Sequence, residues 1–331
     1  MNEILLNNID ADIVPCPELP EPGRIYSLAN DSNFVSAFFS KALTDFAGGF
    51  SDPEGLFSLL EFIAPGVPVD SQRFEYKTYN SNDSLKSDDV DDVRQVGADF
   101  KTVPQGGTNE LGTALNKGLT VRLDLDSFGN NPKIKERVTA LLLSRLWRND
   151  IRRGITLLTA NATNTAKTWD TTVLKDPDAD VLEEIEISAN AAGLPINRVL
   201  FGGSAWKRRY FCNSDKSTAS AIAGRLMSPE QLAMILGVNE VRVSRERYST
   251  GAAATSQTEI VGSCVYLFNA RQNATTQDAS NIKRFVVLLD NDLSYRVYEH
   301  RVSSNLLDLT VEHYSNVVIT SATGIRKLTI S

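Results

Sequence analysis

Side chains that do acid–base, nucleophilic or metal chemistry are sparse in this sequence. Its two histidines, His300 and His313, stand 13 residues apart, with no HExxH, no CxxC and no Cys/His cluster around them. Each falls in an alternating, strand-like segment, where a histidine is expected on a strand face or at an interface rather than as a base or ligand. The three cysteines, Cys16, Cys212 and Cys264, are odd in number and far apart, which argues against a disulfide framework and for a reducing compartment. Gly202-Gly203-Ser204-Ala205-Trp206 begins like a nucleophile elbow, but Trp206 stands where that turn needs a glycine. No phosphate-cradling GxxxxGK loop and no GxGxxG turn appears. The expectation is a protein that is not an enzyme, with no catalytic residues, no metal and no cofactor. A hydrolase or transferase built on an α/β domain at 178–271 is the competing reading, and the missing acid–base residues count against it.

The charge that is present is spread out. Thirty-four Lys and Arg against 41 Asp and Glu give a net charge of −7, so the whole molecule is not a free polycation seeking nucleic acid. The 331 residues suggest about two domains at roughly 150 residues each. With 42% hydrophobic and 23% charged residues the chain reads as globular, which excludes collagen-like and fully disordered classes. No run approaches the ~18–20 apolar residues of a membrane span, and Met-Asn-Glu-Ile-Leu-Leu lacks the basic flank of a secretory signal. No membrane partner is expected.

The elements that would carry any interaction surface follow from patterning. Residues 1–30, with Pro15, Pro17, Pro20 and Pro22, read as an extended arm. A helix is expected from Asn33 to Phe46, its stripe formed by Phe34, Phe38 and Phe39 with Leu43, stopped at Gly48-Gly49. That Phe-rich stripe suits core or partner packing. Arg73–Tyr79 and Leu119–Asp126 both alternate strictly and read as two paired antiparallel strands. Some 40 mostly polar residues separate them, with an acidic run at Asp83, Asp88, Asp89, Asp91 and Asp92, which points to an excursion from the core. The ribbon's apolar face, Phe74 and Tyr76 with Leu119, Val121 and Leu123, cannot be buried by an isolated hairpin.

Asn131-Pro132 is a helix start, and Ile134, Val138, Leu142, Leu146, Ile151, Ile155 and Leu158 continue one long amphipathic helix to Ala160-Asn161. Lys133, Lys135, Arg137, Arg145, Arg148, Arg152 and Arg153 against Glu136 and Asp150 make it a +5 helix in an acidic chain. Such a face is either simply solvated or meets a polyanion or acidic partner. An α/β stretch follows: a helix at 178–192, a strand at 198–201, a helix from Ser204 and a capping box at Ser228-Pro229-Glu230-Gln231, with strands at 240–245 and 264–268. The chain closes in strands at 284–289, 295–300, 306–312, 317–320 and 325–330.

In this order the sequence resembles the major capsid proteins of tailed bacteriophages, a fold shared with encapsulins and the herpesvirus capsid floor. The resemblance is carried by Ala64-Pro65-Gly66-Val67-Pro68-Val69 before Phe74-Glu75-Tyr76, by the helix from Pro132 to Ala160, and by Trp169 and Asp176-Pro177-Asp178-Ala179-Asp180. Arg198-Val199-Leu200-Phe201-Gly202 with Trp206, and Leu232-Ala233 to Glu240-Val241-Arg242-Val243, extend it. It covers about Phe62 to the C-terminus, and its specificity lies in the order of the motifs.

The resemblance implies an α+β fold in five parts: an N-terminal arm (1–72), an extended two-stranded loop (73–126), a peripheral domain with a long spine helix (127–177), an α/β axial domain (178–280), and peripheral β-strands (281–331). It implies a shell protein that assembles with itself into pentamers and hexamers of an icosahedral head around double-stranded DNA. The implied location is the virion, after assembly in the host bacterial cytoplasm. An encapsulin-like nanocompartment is the alternative. Arg145, Arg148, Arg152 and Arg153 would face the interior DNA. Phe74, Tyr76, Leu119, Val121 and Leu123 would lie on a neighbouring subunit, and Phe34, Phe38 and Phe39 would dock the arm. A portal and a separate scaffolding or decoration protein are the further partners implied, since too few residues precede Phe34 for a built-in scaffold. Lys77, Lys86 and Lys101 are available to a loop cross-link, but the surrounding motif is not matched.

Overall fold

The computed structural model describes residues 38–80, 93–94, 96–97, 99–100, 106–128, 131–170, 175–214, 224, 226–251, 255–289 and 293–331. The chain divides into two units, Met1–Phe39 and Ser40–Ser331; of the first, only Phe38 and Phe39 are among the described residues. The second unit opens with α1 (Lys41–Gly49), α2 (Leu56–Ile63), β1 (Gly66–Val69), β2 (Arg73–Thr78), β3 (Thr108–Thr113) and β4 (Leu115–Asp124). A single turn, α3 (Leu125–Phe128), precedes the long α4 (Pro132–Asn161). Then come β5 (Thr163–Lys167), α5 (Pro177–Ala192), β6 (Arg198–Gly202), α6 (Gly203–Ser214), α7 (Pro229–Leu236) and β7 (Glu240–Ser244). The short β8 (Arg247–Ser249) and β9 (Gln257–Glu259) lead to β10 (Cys264–Phe268), β11 (Ile282–Val287), β12 (Arg296–Arg301), β13 (Leu306–Ile319) and β14 (Arg326–Ile330).

Helix ends are set by local chemistry. The Asn131 side chain accepts from the Lys133 N–H, with Pro132 in the first turn of α4. Asp176 does the same for the Asp178 and Ala179 N–H groups at α5, and Ser228 and Gln231 cap each other's backbone at α7. Helices α5 and α7 stop at Gly193 (φ 64°) and Gly237 (φ 67°), left-handed positions that favour glycine.

Two five-stranded sheets organise the unit. The first runs β1-β11-β13-β12, with β4 also paired to β13; the second runs β5-β14-β10-β6-β7. Strand β13 is the hub of the first, antiparallel to β4, β11 and β12, with Lys117 opposite His313 and Leu119 opposite Val311. Helix α4 buries Leu142, Leu143, Leu146, Ile151, Ile155 and Leu158 in the main core, which also holds Leu60, Ile63, Leu309 and Val311. At ~1.5–3 kcal/mol per fully buried aliphatic side chain, this seam is the chief apolar anchor of the long helix. Trp147 adds an indole N–H donated to the Tyr295 hydroxyl at 2.7 Å. A second core, with Val181, Val199, Phe201, Leu232, Val265 and Leu328, belongs to the other sheet.

Four expectations are corrected here. Strand β2 does not pair with Leu119–Asp126: it pairs with β3, while β4 joins β13 over ten residues. Strict alternation told which face of each strand is buried, but partner choice is a long-range matter that periodicity does not carry. The expected strands at 306–312 and 317–320 are one continuous strand, β13. The expected helix from Asn33 to Phe46 is interrupted, because Phe39 is a bridge residue and Ser40 is extended (φ −103°, ψ 96°); α1 starts at Lys41 and includes Gly48 and Gly49. Residues 33–37, Phe34 among them, lie outside the described residues. Residues 40–72, read as arm, supply α1, α2 and β1, and β1 pairs in parallel with β11 in the first sheet.

Gly202 has a packing role. A Cβ there would stand 1.8 Å from the Gly262 carbonyl oxygen, so only glycine lets these backbones cross.

Candidate functional site: the basic face of the long helix

The solvent side of α4 carries Arg145, Arg148 and Arg152 at spacings of three, four and seven residues, which places them on one face over about 10 Å. Their surroundings differ. Arg145 is exposed and makes no ion pair with a described residue. Arg148 is pulled toward its own chain by Glu246 at 3.2 Å and Glu54 at 3.4 Å. The Arg152 guanidinium lies 3.8 Å from the centroid of the Tyr248 ring, a cation–π contact that covers one face of the group and leaves its N–H fork in plane. Arg153 sits beside this stripe and donates to Asp150 at 2.7 Å.

Asp150 is the centre of an ion cluster that the sequence reading missed. Its carboxylate, 1% exposed, meets the Lys117 ammonium at 2.8 Å, Arg153 at 2.7 Å, and His313 Nε2 and the Ser315 hydroxyl each at 3.3 Å. Lys117 also donates to Ser315 at 3.0 Å. Burial alone would raise the Asp150 pKa, but the His313 hydrogen bond and the Lys117 charge outweigh it and hold the carboxyl well below its usual range. Burial pushes the His313 pKa down, with the cations Lys117 and Arg284 adding to that and Asp150 opposing it across the 3.3 Å Nε2 contact. Lys117 is lowered by the same desolvation, opposed by Asp150. The cluster pins α4 to β4 and β13.

A signal for it existed in the sequence. Lys117 shares the inward row of β4 with Leu119, Val121 and Leu123. His313 and Ser315 share that of β13 with Leu309, Val311 and Val317, and Asp150 falls among Leu143, Leu146, Trp147 and Gly154 on the buried face of α4. Polar residues on apolar rows are the mark of such a network.

The residues expected on a neighbouring subunit are largely covered within this chain. Phe74 and Tyr76 pack on Phe285 with ring centroids 4.4 and 5.3 Å apart. Leu123 is buried, and Leu119 and Val121 pack against the main core. The apolar face that was to be laid on a neighbour is therefore closed by the first sheet. Strand β3 is instead the exposed member of the ribbon, with Leu111 86% exposed. Phe39 is 40% exposed and Phe38 half-buried. Lys77 is described and half-buried; Lys86 and Lys101 lie outside the described residues. Among the described residues no group of three or more His, Cys, Asp or Glu could hold a metal ion. No helix among them is long and apolar enough to cross a membrane.

No family model matches the sequence, and no curated protein matches it. Solved structures do. A phage-related protein from Bordetella bronchiseptica RB50 is 13% identical and superposes with a TM-score of 0.66, over 88% of this chain and 96% of that one. A structure from Microbacterium phage Oxtober96 is 12% identical, with a TM-score of 0.50 over 86% of this chain and 94% of that one. The mature capsid of bacteriophage PhiM1 is 10% identical, with a TM-score of 0.45 over 82% and 86%. The arrangement of long helix, two sheets and ribbon is a fold shared with the Bordetella phage-related protein and the Microbacterium phage structure.

Proposed function

We propose that this chain is the major capsid protein of a tailed phage, a subunit that assembles with itself into an icosahedral head shell around double-stranded DNA. The observation that carries the reading is the fold match over 88% of this chain and 96% of the Bordetella phage-related protein. A closed shell gains stability from identical contacts repeated by symmetry, and it needs exposed elements that reach a neighbour. Strand β3 suits that role, as do Phe38 and Phe39. The domain division proposed is an arm before Ser40, the ribbon and loop, a peripheral domain around α4 and the first sheet, and an axial domain around α5, α6, α7 and β6, β7 and β10. Portal and scaffolding or decoration proteins are the further partners proposed, and the virion the location.

The Arg145–Arg153 face is proposed to line the interior. The test is the nucleic acid retained by nuclease-treated native particles, and its loss when Arg145, Arg148, Arg152 and Arg153 are made neutral. DNA-filled particles that the quadruple variant forms but fills poorly support the reading, with a deficit that grows with salt. Particles that hold protein cargo and no DNA would make the chain a nanocompartment shell instead.

A further inference from the structure

Beside the basic stripe, α4 and the facing edges of β4 and β13 enclose a groove of about 610 Å³. Its polar lining is Lys117, Asn149, Arg152, Arg153, Thr156 and Asn316. Three of these are cations, and among the described residues the one carboxylate in contact with them is the buried Asp150, so the groove holds a positive excess. Its donors are also partly unspent. Lys117 gives two of its three N–H bonds to Asp150 and Ser315. Arg153 gives one N–H to Asp150, and Asn316 gives one to the Thr113 carbonyl. Arg152 is held flat by Tyr248, which orients its fork before any ligand arrives.

We propose that this groove is a binding site for a phosphodiester backbone, in which Arg152 and Arg153 each engage a phosphate and Asn149 and Asn316 supply neutral donors. The inference rests on the interior-facing reading of α4 and gives that face a defined seat. A linear polyanion is favoured over a compact anion because the exposed Arg145, outside the groove, stands about 10 Å from Arg152 along the same helix. Such a ligand is read through charge and donors without base contacts, so binding is sequence-independent and steep in salt.

The test places charge in the groove without touching the Asp150 cluster. Thr156 is exposed on α4, and Asn190 is exposed on α5 as a control. Full-length Thr156→Glu, Thr156→Lys and Asn190→Asp are titrated against a short fluorescein-labelled DNA duplex at several salt concentrations. Each charge added or offset should change the slope of log K against log salt by about 0.9, or about eightfold in affinity at 0.1 M salt. Thr156→Glu should bind more weakly and Thr156→Lys more tightly, with Asn190→Asp close to wild type. The opposite-sign pair separates a groove effect from misfolding, which would weaken both. Equal affinities in Thr156→Glu, Thr156→Lys and Asn190→Asp would overturn the proposal. So would tighter binding of poly-aspartate than of the duplex at equal charge concentration, which would assign the groove to an acidic protein segment. The assay reads affinity whether or not particles form, so its failure is distinct from a failure to assemble.

Discussion

Removing the Asp150 carboxylate strands a buried cation. In Asp150→Asn, Arg153 is 48% exposed and can turn to water, and the amide oxygen can still accept from His313. Lys117 has no such escape, with a side chain 6% exposed and its ammonium 2.8 Å from the lost charge. Breaking a buried pair in this way costs about 3–5 kcal/mol. Lys117→Met should cost less, about 1–3 kcal/mol, because Asp150 keeps Arg153, His313 and Ser315. In the double variant neither charge is stranded, so its cost should fall below the sum of the singles by about 2 kcal/mol. Urea unfolding of dissociated subunits, followed by tryptophan emission with Trp147 on the same helix, gives all three values. Strict additivity, or an Asp150→Asn cost below about 1 kcal/mol, would refute the view that this cluster pins the long helix to the first sheet.

The same cluster sets a pH dependence. The His313 pKa is depressed in the fold from 6.5, so its contribution to stability is full above pH 6.5 and lost as pH falls through the folded value. Asp150 repeats this below its ordinary 3.8; denaturation midpoints measured from pH 7 to 4 should fall, and His313→Gln should flatten the upper part of that fall. Gly202→Ala should abolish soluble expression, since its Cβ would overlap the Gly262 carbonyl, whereas Gly203→Ala, whose nearest neighbour is 3.5 Å away, should express normally. Phe38→Asp with Phe39→Asp should give folded subunits that do not assemble, at ~1.5–3 kcal/mol for each Phe contact forgone, read by electron microscopy; normal particles would remove the arm from the contacts.

Much of the second unit is legible where local chemistry decides it. Asn131-Pro132 and Asn161 bracket α4 as the pattern predicts, and Ser228, Gln231 and Gly237 delimit α7. Alternation in Arg73–Thr78 and Leu119–Asp124 marks two strands and their buried faces. What it cannot mark is that β4 joins β13 nearly 200 residues away, a choice made by the whole sheet. Strand β3 escaped because Thr108–Thr113 is polar and exposed almost throughout, so it has no alternation to read. The basic face was visible as composition, but not that Glu54 and Glu246 draw Arg148 inward, nor that Asp150, counted among the polar positions, is the most buried charge on the helix. Those facts depend on which strands α4 lies against.

A shell subunit, as proposed for this chain, reveals itself in the mass of its native particle. Purified full-length protein should sediment as a megadalton species of uniform size, built from 36.3 kDa subunits, and show closed icosahedral outlines in electron micrographs. A protein that remains a monomer or small oligomer at every concentration and ionic strength tried is not a shell subunit.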